Sequence, residues 1–223
     1  MTVLHLADEG EAADLAAFLS RLLHYDRSAA VRLQAAGTAL AVFGRPPSFE
    51  VLAVRAVRLA KPYENGLDVT LDVTVSAGEL LESVDESAAT AAVPGAVTGP
   101  PWAGVLPPRG GWRAEPGLPA VQELRGLVTA SVAEFRSRTE ELAPERRTRA
   151  ELDRIGREIW SRTVADTGLP VRAVHAAQSL GFLRGAEQTL LSSGSWLRLR
   201  TPYGSVAVRR TSGLLGALDL SVR

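Results

Sequence analysis

The sequence predicts an α+β fold: an N-terminal four-stranded antiparallel sheet with helices, then a helical segment that ends in a C-terminal β-hairpin or three-stranded meander. Two observations carry this prediction. Apolar and polar residues alternate at 67–75 and at 196–209, which is the period of a half-buried strand. Apolar residues at 11–24 and 121–135 recur instead at the spacing of an amphipathic helix. Strands and helices gathered into separate runs are typical of α+β domains.

Residues 1–84 are expected to form a first domain in the order helix, four strands, helix. After the helix at 11–24, a hairpin turns at Ala36-Gly37. Ser76 and Glu79 have the spacing of a capping box, so a short helix should follow the last strand.

The last two strands of this domain are expected to be antiparallel neighbours. One is the apolar stretch at 49–59 and the other is the alternating stretch at 67–75. Between them lies Asn65-Gly66, a dipeptide that favours two-residue hairpin turns.

Residues 85–118 are rich in alanine, valine, proline and glycine, which predicts a long loop with little regular structure. Trp102 and Trp112 make it too apolar for a plain flexible linker, so we expect parts of it to pack onto a domain. Such a loop either covers the edge of a core or clamps a flat ligand.

Residues 119–223 are expected to form helices and then antiparallel strands, either as a second domain or packed as one unit with 1–84. Helices should begin near Pro119, after Thr148 in a second capping box, and at Pro170. Gly181 lies where the last helix needs a left-handed residue to end. A final strand is predicted at 218–222.

The hairpin at 196–209 has one apolar face and one face of arginines. Guanidinium groups bind planar anions with two parallel hydrogen bonds, so this face suits carboxylates or phosphates. The alternative is a solvated face whose charges discourage aggregation at a sheet edge. The candidate partner-binding residues, on the hairpin and on the tryptophan loop, are Trp196, Arg198, Arg200, Tyr203, Arg209, Trp102, Arg109 and Trp112.

Several chemistries lack their residues. The chain has no cysteine, which excludes disulfides and thiolate sites, and its three histidines do not have metal-ligand spacing. No phosphate-binding glycine motif and no nucleophile elbow occurs. We therefore expect no metal, no cofactor and no catalytic residue that a motif identifies.

Composition and charge indicate an ordinary globular protein. Apolar residues make up 46% and charged residues 22% of the chain, and no apolar run approaches the roughly 20 residues that cross a bilayer. The beginning of the chain lacks the pattern of a signal peptide, so we expect a cytoplasmic protein without a membrane partner. Residues 1–104 carry 7 basic and 13 acidic residues, and 105–223 carry 18 and 12, so the halves have charges of −6 and +6.

Three functions follow from these observations, and the first is a non-enzymatic interaction protein that binds a protein or peptide through the arginine face. The second is a DNA-binding regulator, because the helix at 170–180 and the hairpin resemble the recognition helix and wing of winged helix-turn-helix domains. That resemblance implies that Arg172 and Gln178 face the groove. The third is an enzyme with a motif-free site, such as a carboxylate pair at Asp68 and Asp72.

A broader resemblance covers most of the second half. It rests on the segments 159–162, 169–177 and 196–210, together with the loop at 106–112. These segments are similar to an uncharacterised protein family of high-GC Gram-positive bacteria. The resemblance implies a bacterial cytoplasmic protein and brings no activity or site residue with it.

Overall fold

The computed structural model describes residues 2–60, 71–102 and 105–210. Its helices are α1 (Glu9–Tyr25), α2 (Ala77–Glu82), α3 (Val121–Glu140), α4 (Arg149–Trp160) and α5 (Val171–Ser179). Its strands are β1 (Val3–His5), β2 (Ala30–Ala36), β3 (Ala39–Gly44), β4 (Leu52–Arg58), β5 (Asp72–Ser76), β6 (Val84–Asp85), β7 (Thr90–Ala92), β8 (Arg113–Glu115), β9 (Thr189–Ser193), β10 (Trp196–Thr201) and β11 (Gly204–Arg209). Short 3-10 turns lie at Pro47–Phe49 and Pro144–Arg146.

The N-terminal strands belong to a larger sheet than the sequence predicts. In the described part of the chain, the order β5-β2-β3-β4-β11-β10-β9-β8 makes one eight-stranded antiparallel sheet, and β1-β7-β6 makes a second, small one. The expected sheet of four strands is therefore half of the larger sheet. The C-terminal meander, β9-β10-β11, joins it where β11 pairs with β4. Strand β4 carries apolar residues on both faces, and its pairing with β3 and β11 satisfies both of its edges.

The expected pairing of β4 with β5 is wrong. Strand β5 pairs with β2 at the far edge of the sheet, whereas β4 lies between β3 and β11. A turn dipeptide acts only on its neighbours in sequence, and here the distant strand β11 occupies the edge that a hairpin would have used. Asn65-Gly66 itself lies outside the described residues.

The main core lies on one face of the large sheet, hereafter the inner face. Helix α1 packs on β4 and α5 packs on β11 and β10, while α3 and α4 pack on α5. Side chains at helical spacing on α1, including Phe18 and Leu19, are fully buried there. The amphipathic pattern in the sequence thus identified the buried face of α1 correctly.

The predicted helix ends are confirmed. Ser76 caps α2 and Thr148 caps α4, each accepting a hydrogen bond from the backbone three residues on. After α5, Gly181 has φ +74°, and Phe182 N donates to the Ala177 carbonyl at 2.8 Å. This is a Schellman motif, which satisfies the free carbonyls of the last turn.

The predictions for the segments 85–118 and 218–222 have different outcomes. The segment 85–118 is not wholly irregular, because it contains β7 and β8. Strand β8 pairs with β9, and β7 pairs with β1 as well as with the neighbouring two-residue strand β6. The long-range pairings are not visible in local composition. The predicted strand at 218–222 lies outside the described residues.

None of the described helices is long and apolar enough to cross a lipid bilayer.

The hairpin of β10 and β11 has the predicted alternation. Leu197, Leu199, Val206 and Val208 are buried in the main core. The opposite face, hereafter the outer face of the sheet, is not simply solvated. Trp196 and Ala207 are buried there in a second, smaller cluster with Trp102, so the tryptophan loop covers part of this face.

The winged-helix arrangement is absent from the described residues. Strands β10 and β11 lie inside the sheet between β9 and β4, so they do not project as a wing. Helix α5 is enclosed by the sheet and by α3 and α4, and no residue of it is in the exposed class. Arg172 and Gln178, expected to face a DNA groove, are each partly buried.

Candidate functional site

A groove of about 500 Å³ lies on the outer face of the large sheet; we call it the outer-sheet groove. Small apolar side chains form its floor, among them Ala41 on β3 and Val54 and Ala56 on β4. Leu106, Pro107 and Pro108 of the tryptophan loop form a wall. Alternation places these floor residues on the outer face because their neighbours in sequence point into the main core.

The two loop tryptophans hold the wall in place. Trp102 is 6% exposed, packs in the outer cluster with Leu52 and Val54, and donates from Nε1 to Thr74 Oγ1 at 3.0 Å. Trp112 is half-buried and donates from Nε1 to the Pro108 carbonyl at 3.0 Å. The buried Trp102 therefore anchors the loop on the sheet, whereas the Trp112 hydrogen bond stabilises the loop internally.

One end of the groove carries an ion pair. Arg32 donates to Asp72 through Nε to Oδ1 at 2.7 Å and through Nη2 to Oδ2 at 2.8 Å, and Gln34 donates to the same carboxylate. The hydrogen bonds from Arg32, with smaller contributions from Gln34 and the charge of Arg109, hold the pKa of Asp72 below its ordinary value. Asp72 is thus a fixed anion at this end.

The other end carries Arg198, whose charge is not compensated in the same way. Its Nε donates to Ser205 Oγ at 2.8 Å, and its guanidinium carbon lies 5.7 Å from the centre of the Trp112 ring. Burial, with the charge of Arg200, lowers the pKa of Arg198. Among the described residues no carboxylate forms an ion pair with Arg198, so a half-buried positive charge lines the groove.

The structure brings only part of the predicted residue set together. Arg198 and Arg109 line the groove, and Trp112 lies beside Arg198. Trp102 and Trp196 are buried beneath the loop at 6% and 8% exposure, so they support this surface and do not present their rings to a partner. The face of the hairpin that the sequence predicts to be exposed is therefore partly covered, because the tryptophan loop packs on it.

Arg200, Tyr203 and Arg209 do not line the groove. Arg200 and Arg209 are exposed, and the Arg209 guanidinium lies 5.0 Å from the centre of the Trp196 ring. The Tyr203 ring, in the hairpin turn, packs under Arg184 at 4.3 Å. Whether any of these eight residues contacts a partner remains a prediction.

Sequence reasoning missed the opposite end of the groove, formed by Arg32 and Gln34 on β2. The sequence does indicate which face they occupy, because Arg32 and Gln34 alternate with Val31 and Leu33, which are fully buried. That alternation puts Arg32 and Gln34 on the outer face, yet it does not reveal that β5 pairs with β2 and brings Asp72 beside them.

The structure does not test the carboxylate pair of Asp68 and Asp72 that was considered for catalysis. Asp68 lies outside the described residues, and Asp72 is bound by Arg32. Within the described ranges, no group of three histidine or carboxylate side chains is arranged to hold a metal ion.

The groove lies at the junction of two regions that match different family models. Residues 1–104 match a domain of unknown function, DUF8010, and residues 107–213 match another, DUF8185. The chain is similar to two uncharacterised domains in tandem. The DUF8010 region supplies the floor of the groove and Asp72, while the DUF8185 region supplies Arg109 and Arg198. A search of curated proteins found no match to the chain.

Proposed function

We infer that this chain is a non-enzymatic interaction protein whose outer-sheet groove binds an extended peptide segment of a protein partner, with a carboxylate of that segment on Arg198. The observation that carries this proposal is the half-buried guanidinium of Arg198, which has no carboxylate partner among the described residues.

The contrast with other arginines supports an anionic ligand. Arg32, Arg55 and Arg184 all form ion pairs with carboxylates at 2.7–2.8 Å. Arg198 is half-buried, and within the described residues it donates to a hydroxyl and lies over an aromatic ring in place of such a pair. A guanidinium in that state gains most from a carboxylate, because a charge-assisted bond replaces the lost hydration.

The shape of the groove suits an extended peptide. It runs from Asp72 on β5 across β2, β3 and β4 to Arg198, whose side chain reaches Ser205 on β11. Strands lie about 4.8 Å apart, so the groove is roughly 15–20 Å long, the span of about five or six extended residues. Alanines and Val54 on the floor, beside the larger Phe43, leave room for a backbone, and Leu106 and two prolines form the wall.

The groove favours binding over proton transfer. Among the described residues that line it, the one carboxylate, Asp72, is held as the anion by Arg32, and the arginines number three. Arg32 and Asp72 neutralise each other, which leaves Arg109 and Arg198 to attract an acidic segment. This complementarity governs the rate and specificity of association.

A peptide pair that differs in one charge tests the proposal. Extended six-residue peptides of alanine and valine with one glutamate are compared, by fluorescence polarisation, with the same peptides carrying glutamine. We expect the glutamate peptides to bind about tenfold or more tightly, the size of one charge-assisted bond. Arg198→Gln should abolish that preference.

Arg200→Gln is the matched control, because Arg200 lies two residues along the same face of β10 but does not line the groove. It should keep most of the glutamate preference. The proposal is wrong if glutamate and glutamine peptides bind equally, or if both arginine variants lose the preference to the same extent.

The origin and compartment of the protein are also proposals. A single lysine against 24 arginines fits a GC-rich coding sequence, which supports a high-GC Gram-positive bacterium as the source. The sequence prediction of a cytoplasmic location is tested by fractionating cells that express the tagged chain.

A further inference from the structure

A second cavity, separate from the outer-sheet groove, lies on the helical side of the molecule. Its volume is about 630 Å³, within the range of small-molecule sites. The end of α1, the turn at Pro47–Phe49, α3, α4 and α5 line it. We call it the aromatic cavity, because rings form most of its apolar wall: Tyr25, Phe49, Phe135, Trp160 and His175.

These rings form one continuous chain of contacts. Trp160 is stacked on His175 with ring centres 4.6 Å apart and an angle of 28°. The Phe49 ring packs edge-on against His175, with ring centres 5.0 Å apart. The Tyr25 ring packs edge-on against Phe49, with ring centres 5.1 Å apart. Phe135 lies 6.4 Å from Trp160. Both flat faces and edges are thus offered to a planar ring.

Arg172 contributes to the cavity a buried N–H donor. It lies one turn before His175 on α5 and lines the same cavity. Its Nε is buried, and among the described residues it has neither a hydrogen-bond acceptor nor a carboxylate in an ion pair. A buried donor without an acceptor is costly, so an oxygen of a ligand would satisfy it.

The other charges lie at the mouth. Glu50, Asp153 and Arg157 line the cavity but are exposed, whereas Arg172 is partly buried. Glu50 also has φ +52°, a left-handed conformation that costs a non-glycine residue energy and recurs at functional sites. The less hydrated charge is therefore positive, which favours an anionic group over a cationic one.

We propose that the aromatic cavity binds a small planar aromatic carboxylate, with its ring against Trp160 and His175 and its carboxylate on Arg172. His175 is suited to this as an uncharged ring, since burial lowers its pKa. The positive charge that faces the ligand is then that of Arg172.

Three indoles with different head groups test the proposal: indole-3-acetate, its neutral amide indole-3-acetamide, and the cation tryptamine. Binding to the full chain is measured by calorimetry and by the shift of the Trp160 indole proton, assigned with Trp160→Phe. We expect the carboxylate to bind about tenfold or more tightly than the amide, and tryptamine to bind most weakly.

Two variants locate the binding. Arg172→Gln should abolish the preference for the carboxylate, while Arg157→Gln, at the exposed mouth, should change it much less. Gly156→Leu should block all three ligands by filling the cavity. A Cβ there meets Trp160 and Phe135 at ordinary contact distances of 3.5–3.6 Å, and leucine favours a helix, so the fold should be retained.

The proposal is overturned if none of the indoles binds at millimolar concentration, if tryptamine binds best, or if Gly156→Leu binds the carboxylate as well as the unchanged chain. Failure here leaves the outer-sheet groove unaffected, because the two sites share no lining residue.

Discussion

Arg55 on β4 donates from Nη2 to Glu11 Oε2 of α1 at 2.7 Å, and this ion pair is buried in the main core. From Nη1 the same guanidinium donates to the carbonyl of Tyr203 at 2.9 Å, in the turn between β10 and β11. Arg55 therefore links the first helix to the turn of the C-terminal hairpin, and Tyr203 in that turn lies 148 residues after Arg55 in sequence.

Removing Arg55 should cost far more than removing its exposed neighbour. Arg55→Met leaves Glu11 partly unpaired and the Tyr203 carbonyl without its donor. We expect the free energy of unfolding to fall by about 3 kcal/mol, the low end for a broken buried pair, because Arg58 still binds Glu11 at 2.8 Å. Urea denaturation measures the change.

Arg58→Gln is the control for that prediction. Arg58 binds the same carboxylate, but its side chain is 71% exposed, so water compensates for its loss. Equal losses of stability in the two variants would contradict the role assigned to burial.

Replacing Gly204 by alanine should strain the hairpin. Gly204 has φ +152°, and an added Cβ would lie 2.5 Å from Cε1 of Phe182, a buried ring stacked on Phe18. We expect a loss of about 2–4 kcal/mol in the free energy of unfolding. Gly37→Ala, also at positive φ but with open space around it, should cost only about 1 kcal/mol. The comparison fails if Gly37→Ala is the more damaging change.

The tryptophan loop should depend on Trp102 more than on Trp112. Trp102→Ala removes a 6% exposed ring from the outer cluster and should cost about 3–5 kcal/mol. Trp112 is half-buried, so Trp112→Ala should cost less. Thr74→Val, which removes only the hydrogen bond to Trp102, should cost about 1 kcal/mol. Thermal unfolding, with limited proteolysis of the loop, tests this order.

Stability should fall below neutral pH because of His175. Burial holds its folded-state pKa below 6.5, so as the pH falls through 6.5 the unfolded chain takes up a proton that the folded chain resists. The stability lost in this way stops growing below the folded-state pKa. His175→Gln should remove this part of the loss between about pH 7.5 and about pH 5.5.

Urea denaturation of both proteins at several pH values measures that difference. The charged groups that line the same cavity are present in both proteins, so they cancel in the comparison: Glu50, Asp153, Arg157 and Arg172. Identical pH profiles would refute the assignment to His175.

Local signals in the sequence were reliable where neighbouring residues create the structure. Ser76 and Thr148 cap helices because their hydroxyls reach a backbone N–H three residues on. Gly181 ends α5 because the required left-handed conformation suits glycine. Alternation at 196–209 likewise identified which side chains of the hairpin enter the main core.

Local sequence signals did not predict the two candidate sites, because each site combines residues that are distant in sequence. In the outer-sheet groove, Asp72 comes from β5, whose pairing with β2 the sequence did not predict. Arg198 comes from the predicted hairpin, but the pairing of that hairpin with β4 through β11 was not predicted. In the aromatic cavity, Tyr25 and Phe49 approach Trp160 and His175 from the other half of the chain. In the sequence, Tyr25, Phe49 and Trp160 carry no sign of a shared site, and His175 alone indicates at most a half-buried imidazole.

The sequence by itself determined the helices, their caps, the two-faced hairpin and the mixture of α and β structure, because each depends on contacts within a few residues. Only the tertiary structure decided that β4 pairs with β11, that Trp102 covers part of the outer face, and that Arg198 has no carboxylate partner within the described part of the chain. Alternation specifies which face of a strand is buried; the identity of the neighbouring strand depends on packing between distant segments.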